Sequence, residues 1–180
     1  GWVKLIFVSL ALLFFSIGMA RPQLGAILKE KEIKGAEIMI VLDVSNSMLA
    51  EDYSPNRLER AKLAISKLVD ELQGDRIGLI IFAGQSFVQL PITSDYVSAK
   101  IFLNSITNES VPVQGTALGE AIHTALRSFT SESENSRAVI LITDGENHED
   151  DPVSAAKDAI SVGARVFCVG VGSFEGKPIP

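Results

Sequence analysis

Cysteine is almost absent from the chain: Cys168 is the single one among 180 residues. One thiol excludes an internal disulfide framework and any cysteine-rich zinc site. Its setting in Val166-Phe167-Cys168-Val169 reads as a small buried core residue. Basic clusters are also missing. A net charge of −6 and a pI near 4.9 argue against a nucleic-acid binder, which takes its affinity from concentrated lysine and arginine. The chain lacks an initiator methionine at its first position, so upstream residues are expected. Its length supports one ordinary globular domain with a sizeable core.

Charge is scarcest at the start. Trp2 to Ala20 is apolar apart from Lys4, two serines and a glycine. As helix, this run covers about 28 Å, close to the hydrocarbon thickness of a bilayer. Trp2 and Lys4 at one end and Arg21-Pro22 at the other suit interfacial anchors and a stop. The expectation is therefore a retained transmembrane helix over 2–20, a linker over 21–35 and a domain over 36–180. A cleaved signal peptide is the rival, because Gly18-Met19-Ala20 offers a small-x-small site. Lys4 precedes the helix, whereas Arg21, Lys29, Lys31 and Lys34 follow it. On these charges alone the domain would face the cytoplasm, and a basic upstream loop would reverse that.

From residue 36 two patterns alternate. The apolar runs Ile38–Leu42, Ile77–Phe82, Ala138–Thr143 and Arg165–Val171 are continuous, as expected of strands buried on both faces of a parallel sheet. Between them lie amphipathic stretches. In Arg57–Leu72, the residues Leu58, Ala61, Ile65, Leu68 and Leu72 recur at three- and four-residue spacing. Ser54-Pro55 reads as its N-cap and first position, and Gly74 as the residue past its end. Further helices are expected near Ser94–Ser105, Ala117–Phe129 and Pro152–Val162. Ser86–Leu90 follows its predecessor too soon for a crossover helix and reads as an antiparallel edge strand. The fold class is an open, doubly wound, mostly parallel α/β sheet with helices on both faces.

In such a sheet ligands bind outside the carboxyl ends of the strands. There the first apolar run breaks into Asp43-Val44-Ser45-Asn46-Ser47, and a period of two sets Asp43, Ser45 and Ser47 on one side of an extended chain. As strand-end and loop residues they are expected outside the core. Asp144 ends another strand in Ile142-Thr143-Asp144-Gly145, and Gln114-Gly115-Thr116 puts a hydroxyl just before a helix. Three loops thus bring oxygen donors to one edge. Oxygen-only donors suit a hard cation: Mg²⁺, with Mn²⁺ or Ca²⁺ as alternatives.

The set Asp43, Ser45, Ser47, Thr116 and Asp144 resembles the metal-ion-dependent adhesion site of von Willebrand factor type A domains. The match follows the pattern Asp-x-Ser-x-Ser, then Thr, then Asp, without departure, and the resemblance covers residues 36 to about 173 of the sequence. The flanks VLDVSNSMLAEDYSPNRLERAK, GLIIFAGQSF, QLPITSDY, VQGTALGEAI and ILITDGENHEDD resemble the BatA/BatB group of bacterial membrane proteins, associated with aerotolerance in Bacteroides and its relatives. The resemblance implies further helices, and leaves room for a final strand, beyond Pro180. It also implies an inner-membrane protein whose domain faces the periplasm, against the visible lysines, and a MoxR-type AAA+ ATPase beside other Bat-type proteins as company. In the family the Ser and Thr hydroxyls bind the metal directly and the Asp residues act largely through water. Neutral ligands leave the cation under-compensated, so an Asp or Glu carboxylate from a protein partner is expected to complete it. The implied function is metal-dependent protein binding, without catalysis.

The acidic run Glu146, His148, Glu149, Asp150 and Asp151 reads as a solvated loop near the rim, and His123 as a packed or surface residue of a helix. The rival function is a Mg²⁺-dependent phosphohydrolase of the haloacid-dehalogenase type, which also places an Asp after its first strand. That chemistry needs a second carboxylate two residues on, where this chain has Ser45, and a lysine at a strand end to steady the phosphoryl group. A dinucleotide site is weaker still, because Gly170-Val171-Gly172 has no glycine at position 175.

Overall fold

In a computed structural model, the structure describes residues 1–19, 35–130, 135–145 and 150–173. The chain divides into two compact units, Gly1–Glu32 and Ile33–Pro180. In the first, α1 runs over Trp2–Met19, 18 residues. Its hydroxyls fold back onto their own helix: Ser9 Oγ donates to the Leu5 carbonyl at 2.9 Å and Ser16 Oγ to that of Leu12 at 2.8 Å. Among the described residues, no helix is long and apolar enough to cross a membrane. The end of the expected span at Ala20 and residues 21–34 of the expected linker, with its basic residues, lie outside the described residues.

The second unit is built on a five-stranded sheet of order β3-β2-β1-β4-β5. The strands are β1 Glu37–Asp43, β2 Arg76–Phe82, β3 Ser86–Thr93, β4 Arg137–Thr143 and β5 Ala164–Gly170. β1 is central and parallel to β2 and β4, β5 is parallel to β4, and β3 runs antiparallel along β2. Every residue of β1 is buried, and alternate residues feed opposite layers. Ile38, Ile40 and Leu42 join Leu58, Ala61, Ile65 and Val69 of α2 (Arg57–Glu71) and Leu103 of α3 (Tyr96–Ser105). Met39 and Val41 join Ala121, Ile122 and Ala125 of α4 (Leu118–Ser128) and Ala155 and Ala159 of α5 (Pro152–Ser161). Burial on both faces is why the run is continuous rather than alternating. The antiparallel strand, which carries Pro91, lies on the sheet's outer edge, the place in a sheet where proline is tolerated.

Two expectations fail for local reasons. Asn56, not Ser54, caps α2: its side chain accepts from Glu59 N at 2.8 Å, so Ser54-Pro55 lies ahead of the helix. Cys168 is exposed. β5 is the outermost parallel strand, and Phe167 and Val169 beside it are 51% and 46% exposed. An apolar run there does not mean burial.

Two charged side chains pin the layers from within. Glu37 is fully buried at the start of β1, where it accepts from Arg76 Nη1 at 2.8 Å and from Thr130 N at 3.2 Å. Lys62 lies among the buried residues of α2 and donates from Nζ to the carbonyls of Asn104 and Ile106 at 3.3 and 2.9 Å. It thereby satisfies backbone acceptors at the C-terminus of α3, where a helix leaves carbonyls unpaired and favours a cation. Both groups turn otherwise unpaired backbone into bonded backbone, fixing the helices that frame the carboxyl edge of β1.

Candidate metal centre

The carboxyl edge of the sheet is where the chain leaves β1 and β4 side by side. Asp43 is the last residue of β1, paired in register with Phe82, and Val44 N donates to the Phe82 carbonyl at 2.9 Å. Ser45 stays extended at φ −60° and ψ 163°, after which Asn46–Leu49 closes into a short 3-10 turn. The turn, not a continued strand, brings the two serines together: Ser45 Oγ and Ser47 Oγ are 3.0 Å apart. The expected extended run over Asp43, Ser45 and Ser47 therefore stops short of Ser47, although the convergence it was meant to explain is there.

Asp43 is entirely inaccessible, and Ser45, Ser47 and Thr116 are 4%, 6% and 4% exposed. These residues line the end of the core rather than standing outside it, which corrects the expectation from their place in the chain. The Asp43 carboxylate accepts from Ser45 N at 2.9 Å through Oδ1 and from Thr143 Oγ1 at 2.7 Å through Oδ2. Burial pushes its pKa up to about 6; the bonds from Ser45 and Thr143 pull it down, and the charge of Asp144 raises it further. Desolvation disfavours the ionised form and hydrogen bonding restores only part of the loss. Among the described residues, the charge acting on this buried carboxylate is another carboxylate.

Thr116 reaches the same edge through its backbone. Gly115 takes a positive φ of 141°, a conformation open to glycine at low cost. Ala117 N then donates to the Ala83 carbonyl at 2.8 Å and Gly84 N to that of Val113 at 3.0 Å. These bonds moor the loop to the exit of β2, directly beside β1, with Thr116 just ahead of α4. Asp144, on the exit of β4, is held by Arg57, whose Nη1 donates to its Oδ2 at 3.0 Å. The direct side-chain bonds thus join Asp43, Ser45, Ser47 and Thr143. Thr116 joins by backbone anchorage and Asp144 by charge.

Thr143 and Arg57 are missing from the expected set. Thr143 Oγ1 donates to Asp43 and accepts from Gly145 N at 3.1 Å, so one hydroxyl couples both carboxylate loops. Its only sequence signal is the hydroxyl before Asp144 in an otherwise apolar strand. In the acidic run, Glu146, His148 and Glu149 lie outside the described residues. Asp150 and Asp151 are exposed, as expected of a solvated loop, and both cap helices. Asp150 Oδ2 accepts from Glu120 N in the first turn of α4 at 2.8 Å, and Asp151 Oδ1 accepts from Val153 N and Ser154 N at 3.1 Å. Gly119 allows that approach, because a Cβ there would stand 2.9 Å from Asp150 Oδ2. His123 is partly exposed and pairs with Asp158 at 3.1 Å.

The donor set fits a hard divalent cation. Among the described residues no cluster of three or more His, Cys, Asp or Glu forms a metal site. The convergent oxygens are hydroxyls around a carboxylate that, among the described residues, lacks a compensating positive charge, an arrangement suited to oxygen-seeking ions. The phosphohydrolase alternative finds no support: the residue two after Asp43 is Ser45, bonded to Ser47, and the buried Lys62 is committed to the end of α3.

Residues 38–146 match the von Willebrand factor type A domain. An uncharacterized protein of Borreliella burgdorferi is 31% identical over 183 residues, which cover 94% of this chain and 50% of that protein. The chain thus spans about half the length of the curated relatives it matches. Two solved structures are more similar. An aerotolerance-related membrane protein from Bacteroides fragilis is 57% identical, with a TM-score of 0.79 over 81% of this chain and 72% of that one. BatB from Bacteroides thetaiotaomicron is 59% identical, with a TM-score of 0.79 over 81% and 71%.

Replacing Thr143 with Val removes the hydroxyl without changing the side chain's volume, and leaves Asp43 Oδ2 and Gly145 N each short of a partner. In metal-free protein the change is expected to cost about 1–3 kcal/mol, read as a lower urea midpoint at unchanged m-value. Thr143→Ser should recover most of the loss. Equal midpoints for Thr143→Val and wild type would remove the hydroxyl from its supporting role.

Proposed function

The chain belongs to the von Willebrand factor type A domain family, and from that premise we propose that it binds a divalent cation through Asp43, Ser45, Ser47, Thr116 and Asp144 and uses it to hold a protein partner. One observation carries the reading: two buried hydroxyls, 3.0 Å apart, beside a buried carboxylate on which, among the described residues, the charge acting is that of Asp144. Ser45, Ser47 and Thr116 present neutral oxygens from two loops, at the neighbouring exits of β1 and β2. Asp43 and Asp144 supply negative charge at the same edge. When bound, Mg²⁺, or Mn²⁺ or Ca²⁺ in its place, supplies a Lewis-acidic centre that takes a carboxylate oxygen. The partner class is therefore a protein offering an Asp or Glu side chain. The same donor set holds no positioned nucleophile or general base, which favours binding over catalysis.

A membrane setting belongs to the same proposal. The 57% identity to a membrane protein of Bacteroides fragilis supports a membrane setting; the anchor belonging to this reading is residues 2–20, retained in the inner membrane with the domain on the periplasmic side. The Ser9 and Ser16 hydroxyls each donate to a carbonyl of their own helix, so neither depends on water for a partner. Other Bat-type proteins and a MoxR-type AAA+ ATPase are the partners to test first, with aerotolerance as the setting.

Calorimetric titration of the domain with Mg²⁺ or Mn²⁺ should give one site in wild type and none in Ser47→Ala or Thr116→Ala, each of which deletes a single hydroxyl. Proteins captured from membranes in Mg²⁺ should then be released by EDTA and escape capture by both variants. Capture that persists in EDTA would place the partner on another surface. The anchor is tested separately: the full chain should stay in the membrane pellet through alkaline carbonate extraction. A soluble species starting at Arg21 would establish the cleaved signal peptide instead.

A further inference from the structure

Arg57 stands at the first position of α2, where a cation opposes the helix macrodipole. Helix stability does not explain its place; two carboxylates do. The guanidinium grips Asp52 with a two-pronged contact, Nε to Oδ1 at 2.9 Å and Nη2 to Oδ2 at 3.0 Å, and turns its remaining nitrogen, Nη1, to Asp144 Oδ2 at 3.0 Å. Asp52 Oδ2 also accepts from Ser173 N at 2.7 Å, just past the exit of β5. The network is nearly dry: the side chains of Arg57, Asp52 and Asp144 are 12%, 1% and 2% exposed. A planar fork fixed by one carboxylate has little freedom in where it presents its third edge. The position of Asp144 at the mouth of the sheet is thus set from behind, by a residue 87 positions away in the chain.

We propose that Arg57 is the positioning residue for Asp144: anchored on Asp52, it fixes the carboxylate where the centre needs it and thereby sets the affinity for a divalent cation. The inference rests on the metal-binding reading above. It differs from a simple effect of charge, and the difference can be measured. Arg57→Gln removes a positive charge near the centre, so electrostatics alone would tighten cation binding. Arg57→Lys keeps the charge and loses the fork, so electrostatics alone would leave binding unchanged. Asp52→Asn removes a negative charge and would weaken it. Positioning instead makes all three changes weaken binding, because each lets Asp144 drift. Loss of a residue that orients a metal ligand typically costs about 10- to 100-fold in metal affinity.

The experiment is Mn²⁺ titration of wild type and these variants, alongside Thr116→Ala, with thermal unfolding of each metal-free protein to establish that it is folded. Weaker Mn²⁺ binding, by about 10-fold or more, in both Arg57→Gln and Arg57→Lys is the expected result. In the metal-free protein, Asp52→Asn should also speed hydrogen exchange at the Ser173 amide, a readout independent of metal. Tighter binding in Arg57→Gln, or wild-type binding in both Arg57 variants while Thr116→Ala binds none, would overturn the inference and leave the metal-binding reading standing. A wild-type domain that binds no Mn²⁺ would overturn both.

Discussion

The second unit is organised around a carboxylate that has been taken out of water. Asp43 ends the central strand with no exposed surface, and a buried carboxylate needs either hydrogen bonds or a counter-charge. The chain supplies the bonds locally, from the amide of Ser45, and at long range, from the hydroxyl of Thr143 on the neighbouring strand. These bonds leave its pKa raised, at about 6. The cost is spread across the loops that converge there. Ser45 and Ser47 are drawn in by a 3-10 turn, Thr116 is moored to the exit of β2, and Asp144 is held by Arg57. A central strand buried along its whole length, with parallel neighbours on both sides, keeps so unfavourable a group in place.

Most of the fold is legible in the chain because the central strands are buried on both faces. A strand such as Ile38–Leu42 then becomes an unbroken apolar run, and its flanking helices show the matching periodicity. The limits appear where local pattern and tertiary position part. Cys168 sits in an equally apolar run, but on the outermost parallel strand. Ser54-Pro55 has the chemistry of a helix start, yet Asn56 accepts the capping bond.

The site divides along the same line. Asp43, Ser45 and Ser47 are readable because they lie in one short stretch, Asp144 from where a strand ends and Thr116 from where a helix begins. Thr143 and Arg57 are not readable in this way, since their partners lie 100 and 87 positions away. Nothing near Arg57 in the sequence marks it apart from the other charged residues of an amphipathic helix. Ser45 and Ser47 do lie together, but in a 3-10 turn rather than along an extended strand. Spacing of two is compatible with convergence in a 3-10 turn as well as with one face of a strand, and only the backbone angles distinguish the two.

A centre rich in hydroxyls has a consequence for binding. Carboxylate-rich cages neutralise a cation and hold it as an internal brace. Neutral oxygens leave charge to be met from outside, which suits a cation used as a contact point for another protein. The most direct test of this account is a crystal structure of the domain grown with Mn²⁺ and located by anomalous scattering. The account predicts a single strong peak among Ser45 Oγ, Ser47 Oγ and Thr116 Oγ1, within coordination distance of all three. A peak on the acidic loop after Gly145 with none at the hydroxyls, or no peak at all, would contradict it.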